Sequence, residues 1–188
     1  MRPLTAIEGY MDALKDLCGG VEPVAHRIGG PMEIPPIYTF VATDLPSQGE
    51  VSGFTFGLSS VRHPNWQTTR PELSINVRSQ NMAWVLATGE LVRRHRGRAA
   101  FSIGDVFRFG SRICDESAMS AFFVFFSTIL DSEDGRIVLT DRTINIMQVY
   151  PIYDEEIRIL NEIGADKFFF RDDIDFRDVA RRNQGAIS

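Results

Sequence analysis

Cys114, followed at once by Asp115 and Glu116, comes nearest in type to a nucleophile, with His63 or His95 as a conceivable base. A catalytic cysteine works as its thiolate and needs an electropositive setting. Two adjacent carboxylates push the other way, so the sequence argues against a reactive thiol. The acidic runs Asp115-Glu116, Asp154-Glu155-Glu156 and Asp172-Asp173 hold the paired carboxylates that acid–base or metal chemistry uses. The middle run stands where a helix begins, where negative charge belongs, and the last lies in a charged tail. Arg93, Arg94, Arg96 and Arg98 form the densest basic group. At the end of a helix they complement its negative pole. No aromatic pair is interleaved for stacking on bases, so they suit an acidic protein partner better than a nucleic acid. Gly104 to Gly110 lacks the lysine-serine or lysine-threonine ending of a phosphate loop.

The segment Ser60 to Pro71 differs in kind. It places Arg62, His63, Trp66 and Arg70 between two strands, and tryptophan and arginine are the types that dominate protein-binding hot spots. These four are the candidate partner-binding residues. For Trp66 a second reading stays open, as a lid folded back on the core, because tryptophan is usually well buried somewhere.

Composition narrows the classes of function. Hydrophobic residues are 44% of the chain and charged residues 24%, as in an ordinary folded domain. A net charge of −5 disfavours broad nucleic-acid binding, which relies on basic surface. Two cysteines far apart and three scattered histidines do not supply the clustered ligands of a structural zinc site. Neither a metal nor another cofactor is expected. Glu8, Asp12, Lys15 and Asp16 interrupt any secretory signal, and Ala121 to Leu130 is too short to cross a membrane. A cytoplasmic setting with reduced thiols is the expectation. Fourteen phenylalanines imply a core built on rings, or such a core plus an apolar binding face.

These residues need elements to position them. Thr5 and Glu8 fit a capping box, Ile7, Tyr10, Met11, Leu14, Leu17 and Cys18 share a helical face, and Gly19-Gly20 supply a left-handed stop. Val21 to Pro36, with four prolines and Gly29-Gly30, reads as a connector without regular structure. Strands are expected over Ile37 to Thr43, Val51 to Leu58 and Glu72 to Arg78. In the second, Phe54, Phe56 and Leu58 alternate onto one face. In the third, Leu73, Ile75 and Val77 face a core, while Ser74, Asn76 and Arg78 meet water or a partner. A helix follows from Asn81 to His95, with Gly89 permitting close approach to the sheet. Val106 to Phe109 is a short strand, and Ala121 to Leu130 a long, central one. Asp131 to Gly135 turns, Arg136 to Thr140 and Thr143 to Tyr150 pair as a hairpin, and Pro151 closes the last strand. Asp154 can cap a helix that carries Ile157, Leu160 and Ile163 and ends at Gly164. Phe176, Val179 and Ala180 in the tail fall at helical spacing.

The order of these segments resembles the suppressor of fused family. Phe54-Thr55-Phe56-Gly57-Leu58-Ser59 is similar to that family's strand-ending F-G-L-S, and a tryptophan-bearing loop follows, then Pro71-Glu72-Leu73-Ser74-Ile75, similar to its E-L strand. Phe101-Ser102-Ile103-Gly104-Asp105 is similar to its F-x-x-G-D. The phenylalanine-rich Phe122 to Phe126, Ile144 to Ile152, Pro151 and Glu155-Glu156 follow in the family's order. The resemblance runs from about Tyr38 to Phe170. It implies an α+β fold, a mixed, largely antiparallel β-sheet with helices packed on it. The expected organisation is an N-terminal helix over residues 1–20, a suppressor-of-fused-like domain over 37–170, and a charged C-terminal tail over 171–188. It further implies a protein-binding module with no catalytic residue, in which Gly57, Leu58, Leu73 and Gly104 hold turns and core. Compact bacterial members are thought to act as immunity proteins, so the implied partner is another protein, in the most concrete version a toxin domain. An enzyme of unknown chemistry stays as the alternative.

Overall fold

The computed structural model describes residues 4–130 and 135–186. Helix α1 (Ala6–Leu17) opens the chain. Strands β1 (Val24–Ile28), β2 (Ile37–Thr43), β3 (Val51–Phe56) and β4 (Arg70–Val77) lead to α2 (Ala83–His95). Strands β5 (Val106–Arg108), β6 (Ala121–Phe125), β7 (Arg136–Val138) and β8 (Thr143–Ile152) precede α3 (Glu156–Ile163) and α4 (Ala165–Phe169). The strands form one mixed sheet in the order β1-β2-β3-β4-β8-β6-β5. Every pairing is antiparallel except β4 with β8. Strand β8 shares its far edge between two neighbours, β7 along Thr143–Asn145 and β6 along Gln148–Ile152.

The termini of α1 follow its sequence. The Thr5 side chain accepts the Glu8 N–H, the Glu8 carboxylate accepts the Thr5 N–H at 2.7 Å, and Gly19 and Gly20 take positive φ beyond the end. On one face of the sheet α2 presses Trp84, Val85, Leu91 and Val92 onto Val51, Leu73, Ile75 and Val77. Gly89 allows this approach, since a Cβ there would stand 2.5 Å from Thr39 Cγ2. The opposite face is covered in two parts. Helix α1 lays Tyr10 and Leu14 on Phe40, Phe54, Phe56 and Ile144. Helices α3 and α4 and the segment after them lay Leu160, Phe168 and Phe176 on Phe123, Phe125 and Tyr150. Rings dominate this last group, with Phe125 stacked on Phe169 at 4.3 Å between centroids. Among the phenylalanines, Phe126 and Phe170 are largely exposed, at 57% and 73%.

Several elements differ from expectation. The connector before β2 contains a strand, β1, because pairing with β2 satisfies its backbone despite flanking prolines and glycines. Leu58 joins the α2 face while Phe54 and Phe56 join the α1 face. Gly57, at φ +129°, breaks the alternation between them. The polar positions of β4 are not wet, for Glu72, Ser74 and Asn76 are fully buried. Asn76 donates to the carbonyls of Leu45 and Val51 and to Ser52 Oγ, so a polar stripe lies inside with its hydrogen bonds supplied. Strand β6 ends at Phe125 and lies next to the sheet edge, while Ser127 leaves the strand to bond Gln148 at 2.9 Å. Pro151 sits inside β8, where pairing with β4 has already ended at Gln148. Asp154 does not cap α3 and instead bonds Arg108 at 2.6 Å. The turn expected over Asp131 to Gly135 falls, except for Gly135, outside the described residues. The tail makes no α-helix around Phe176, yet Phe176 and Val179 are buried and Arg181 forms a bidentate ion pair with the buried Glu156.

Candidate functional site

The 57–69 loop between β3 and β4 is organised from inside by Glu72. Its carboxylate is fully buried and accepts five hydrogen bonds. Gly57 N–H gives one at 2.8 Å, Leu58 N–H one at 3.3 Å, and Ser59 two, from N–H at 2.9 Å and Oγ at 2.7 Å. Thr55 Oγ1 completes the set at 2.7 Å. Burial pushes the Glu72 carboxyl above its ordinary value, since desolvation outweighs these favourable contacts. Gly57 is needed for the chain to wrap the carboxylate. Its φ lies in the positive region, and a Cβ there would stand 2.7 Å from the Pro36 carbonyl oxygen.

Arg70 ties the loop from outside, donating to the carbonyl of Ser59 at 3.0 Å and that of Val61 at 3.5 Å. Trp66 is half-buried. Its indole N–H donates to the Ala100 carbonyl at 2.8 Å, its ring packs against the α2-side core, and His63 lies over it at 5.4 Å. Three of the four sequence candidates, Arg62, His63 and Trp66, therefore share this loop, Arg70 opens β4 at its end, and all four line one concavity of about 350 Å³. Its other wall is the β7–β8 turn with Asp141 and Arg142, together with Thr143 at the start of β8. Parallel pairing sets Arg70 opposite Ile144, which brings the starts of β4 and β8 side by side. Arg142 donates to Asp141 at 2.9 Å and to Ser60 Oγ at 3.4 Å, with its guanidinium 5.6 Å from the Phe56 ring centroid.

Neither Arg142 nor Glu72 was singled out from sequence. Nothing local marks Arg142, for its role depends on a strand pairing across some 70 residues. Glu72 carried a weak signal, as a carboxylate on the strand carrying Leu73, Ile75 and Val77.

Other sequence candidates are dispersed. Arg93 and Arg94 both bind Glu90, and Arg96 binds Glu33 and the Pro35 carbonyl, so this group is largely engaged within the chain. Cys114 is buried, its sulfur accepts the Asn81 side-chain N–H at 3.1 Å, and burial first, then Asp115 and Glu116, raise its thiol. Glu116 is occupied by Ser79 and the Trp84 indole, both at 2.5 Å. Strands β1 and β5 end the main path of the sheet, and among the described residues β7, paired with β8, leaves a third edge beside the β7–β8 turn, while the 57–69 loop rises between β3 and β4, away from the β1 and β5 edges.

The family profile described as suppressor of fused protein matches residues 34–182. The chain belongs to the suppressor of fused family. Its fold is shared by solved structures at low identity. A suppressor of fused homologue from Neisseria gonorrhoeae FA 1090 superposes with a TM-score of 0.73 at 13% identity, covering 95% of this chain and 96% of that one. A chain of the Sufu–Fu complex gives 0.70 at 14%, covering 98% and 93%. Drosophila Suppressor of Fused gives 0.67 at 14%, and there the match spans 97% of this chain but 52% of the other. No curated protein matches by sequence. Within this suppressor of fused domain, the F-G-L-S and E-L segments that carry the resemblance meet in space. Gly57, Leu58 and Ser59 form the ring of donors around Glu72. No helix among the described residues is long and apolar enough to cross a membrane.

Proposed function

We propose that this chain is a protein-binding module whose partner seats on the 57–69 loop and the adjoining β7–β8 turn. The observation that carries this reading is the internal fixing of the loop. Four hydrogen bonds to Glu72, from Gly57, Leu58 and Ser59, and two from Arg70 hold its start, and the Trp66 indole pins its middle to Ala100. A surface ordered before contact loses less conformational entropy on binding. It presents tryptophan, arginine and histidine, types suited to anchoring a partner. That a family neighbour is a Sufu–Fu complex supports a protein as the ligand. In its more specific form, the proposal is that the chain acts in the cytoplasm as an immunity protein holding a toxin domain. The compact relative from a bacterium supports that version.

The test is site-directed photo-crosslinking in the native host. A crosslinking residue at exposed Gln67 should capture one protein that the same residue at exposed Glu162 does not. The captured protein, purified, should bind the Trp66→Ala chain with affinity reduced by about tenfold or more. Equal capture at both positions, or undiminished affinity on folded Trp66→Ala protein, removes this surface. A captured protein that arrests growth alone and is tolerated with this chain supports the immunity version. One that is harmless alone removes that version and leaves the binding module.

A further inference from the structure

We propose that the concavity between the 57–69 loop and the β7–β8 turn is an oxyanion pocket that takes a side-chain carboxylate from an acidic segment of the protein partner. This rests on the surface proposed above and names the chemistry it recognises.

The first support is charge. The chain carries −5 overall, yet this concavity gathers Arg62, Arg70 and Arg142 against one carboxylate, Asp141. Among the described residues, neither Arg62 nor Arg70 has a carboxylate within 4 Å, and the contacts of Arg70 are to main-chain carbonyls. The arginines of α2 behave differently, with Arg93 and Arg94 on Glu90 and Arg96 on Glu33. Three guanidinium groups thus share this concavity with one carboxylate, and that carboxylate is paired with Arg142.

The second support is burial. The Arg142 side chain is only 10% exposed, and among the described residues its buried Nε has no acceptor. A guanidinium offers five N–H donors. Here one goes to Asp141, another makes a long contact to Ser60, and the rest of the fork has no partner among the described residues. A buried guanidinium gains most from a carboxylate, whose two oxygens match two parallel N–H groups. Asp141 is 56% exposed at the mouth and shows the chemistry this arginine accepts. A volume of about 350 Å³ lies at the small end of ligand pockets and leaves room for an aspartate or glutamate side chain. Thr143 and His63 add polar groups to the wall.

The test uses the full chain without its partner. Arginine Nε–H correlations in NMR are followed while an N-acetylated Asp-Glu-Asp-Glu amide, its Asn-Gln-Asn-Gln counterpart, or inorganic phosphate is added. The acidic peptide should shift the Arg70 and Arg142 signals saturably, and the amide peptide should not. Arg62→Gln, at an exposed position, should weaken the peptide by about two- to fivefold, the scale of one exposed ion pair, with an unchanged melting temperature. Asp141→Asn should strengthen it, since a competing carboxylate is gone. No saturable shift, or equal shifts at Arg108 and Arg158, overturns the pocket. Phosphate binding that is tighter than the acidic peptide overturns the carboxylate assignment. Silent arginines in a chain whose partner binding is still broken by Trp66→Ala would remove this pocket and leave the binding surface intact.

Discussion

Replacing Glu72 should damage the protein far more than its place in a short polar stripe suggests. Glu72→Ala removes the acceptor for three main-chain N–H groups, of Gly57, Leu58 and Ser59, and for the hydroxyls of Thr55 and Ser59. The hydroxyls can turn elsewhere, but the three buried amides cannot. Each buried donor left without a partner costs about 1–3 kcal/mol. A water entering the vacated space recovers part of this, and loss of the carboxylate's own desolvation cost offsets another part. Three such amides would cost about 3–9 kcal/mol, so after these offsets the expected net loss is about 3–5 kcal/mol. At about 2–4 °C per kcal/mol for a domain of this size, the melting temperature should fall by roughly 6–20 °C. Glu72→Gln keeps one oxygen for Gly57 and Ser59 but turns an NH2 toward the Leu58 N–H, so its cost should be about 1–2 kcal/mol. Chemical denaturation measures both, and amide hydrogen exchange localises the effect. Protection at residues 57–59 should drop in the alanine variant while amides of Leu73 and Ile75 keep theirs relative to global stability. A loss under about 1 kcal/mol for alanine, or unchanged protection at 57–59, would refute the clamp.

Other outcomes follow from the same geometry. Because burial raises the Glu72 carboxyl above its ordinary 4.5, the folded state holds that proton more tightly than the unfolded chain. Its contribution is therefore full below about pH 4.5 and is lost as the pH rises through the raised folded value, and Glu72→Gln should flatten that descent in denaturation curves taken between about pH 4 and about pH 8. Gly57→Ala should cost about 1–3 kcal/mol, through the positive φ and the clash with the Pro36 carbonyl, and a melting temperature equal to wild type would contradict it. Arg181→Ala leaves the Glu156 carboxylate buried without its cation, so unfolding free energy should drop by about 3–5 kcal/mol. Cys114, raised by burial and its acidic neighbours, and Cys18, pushed up to about 11 by burial, should alkylate slowly at neutral pH, and rapid, selective labelling of Cys114 in the folded chain would reopen a nucleophilic role.

Much of the fold was legible because local physics repeats itself in sequence. The capping box and paired glycines fixed both ends of α1, period-two alternation marked Leu73, Ile75 and Val77, and the helical spacing of Met82, Val85, Leu86 and Val92, with Trp84 and Leu91 beside them, marked α2, although Met82 lies exposed and Trp84 and Leu91 are buried. The order of short motifs was enough to place the chain in its family before any coordinate. Where reading failed, long-range pairing had overridden local signals. Strand β1 forms among turn residues because β2 offers it a ladder, and the polar face of β4 is dry because Leu45, Ser52 and the 57–59 turn close over it. The candidate site divides along the same line. Arg62, His63, Trp66 and Arg70 sit within nine residues, so residue type and a loop were sufficient to pick them out. That they face Arg142 follows from β4 and β8 running parallel, a pairing between segments joined by α2, three strands and the intervening loops. Sequence sets which residues a strand carries and which side they point to, since that is a property of the local backbone. Which strand lies beside it depends on burial summed over the whole sheet, and that sum exists only once the chain has folded.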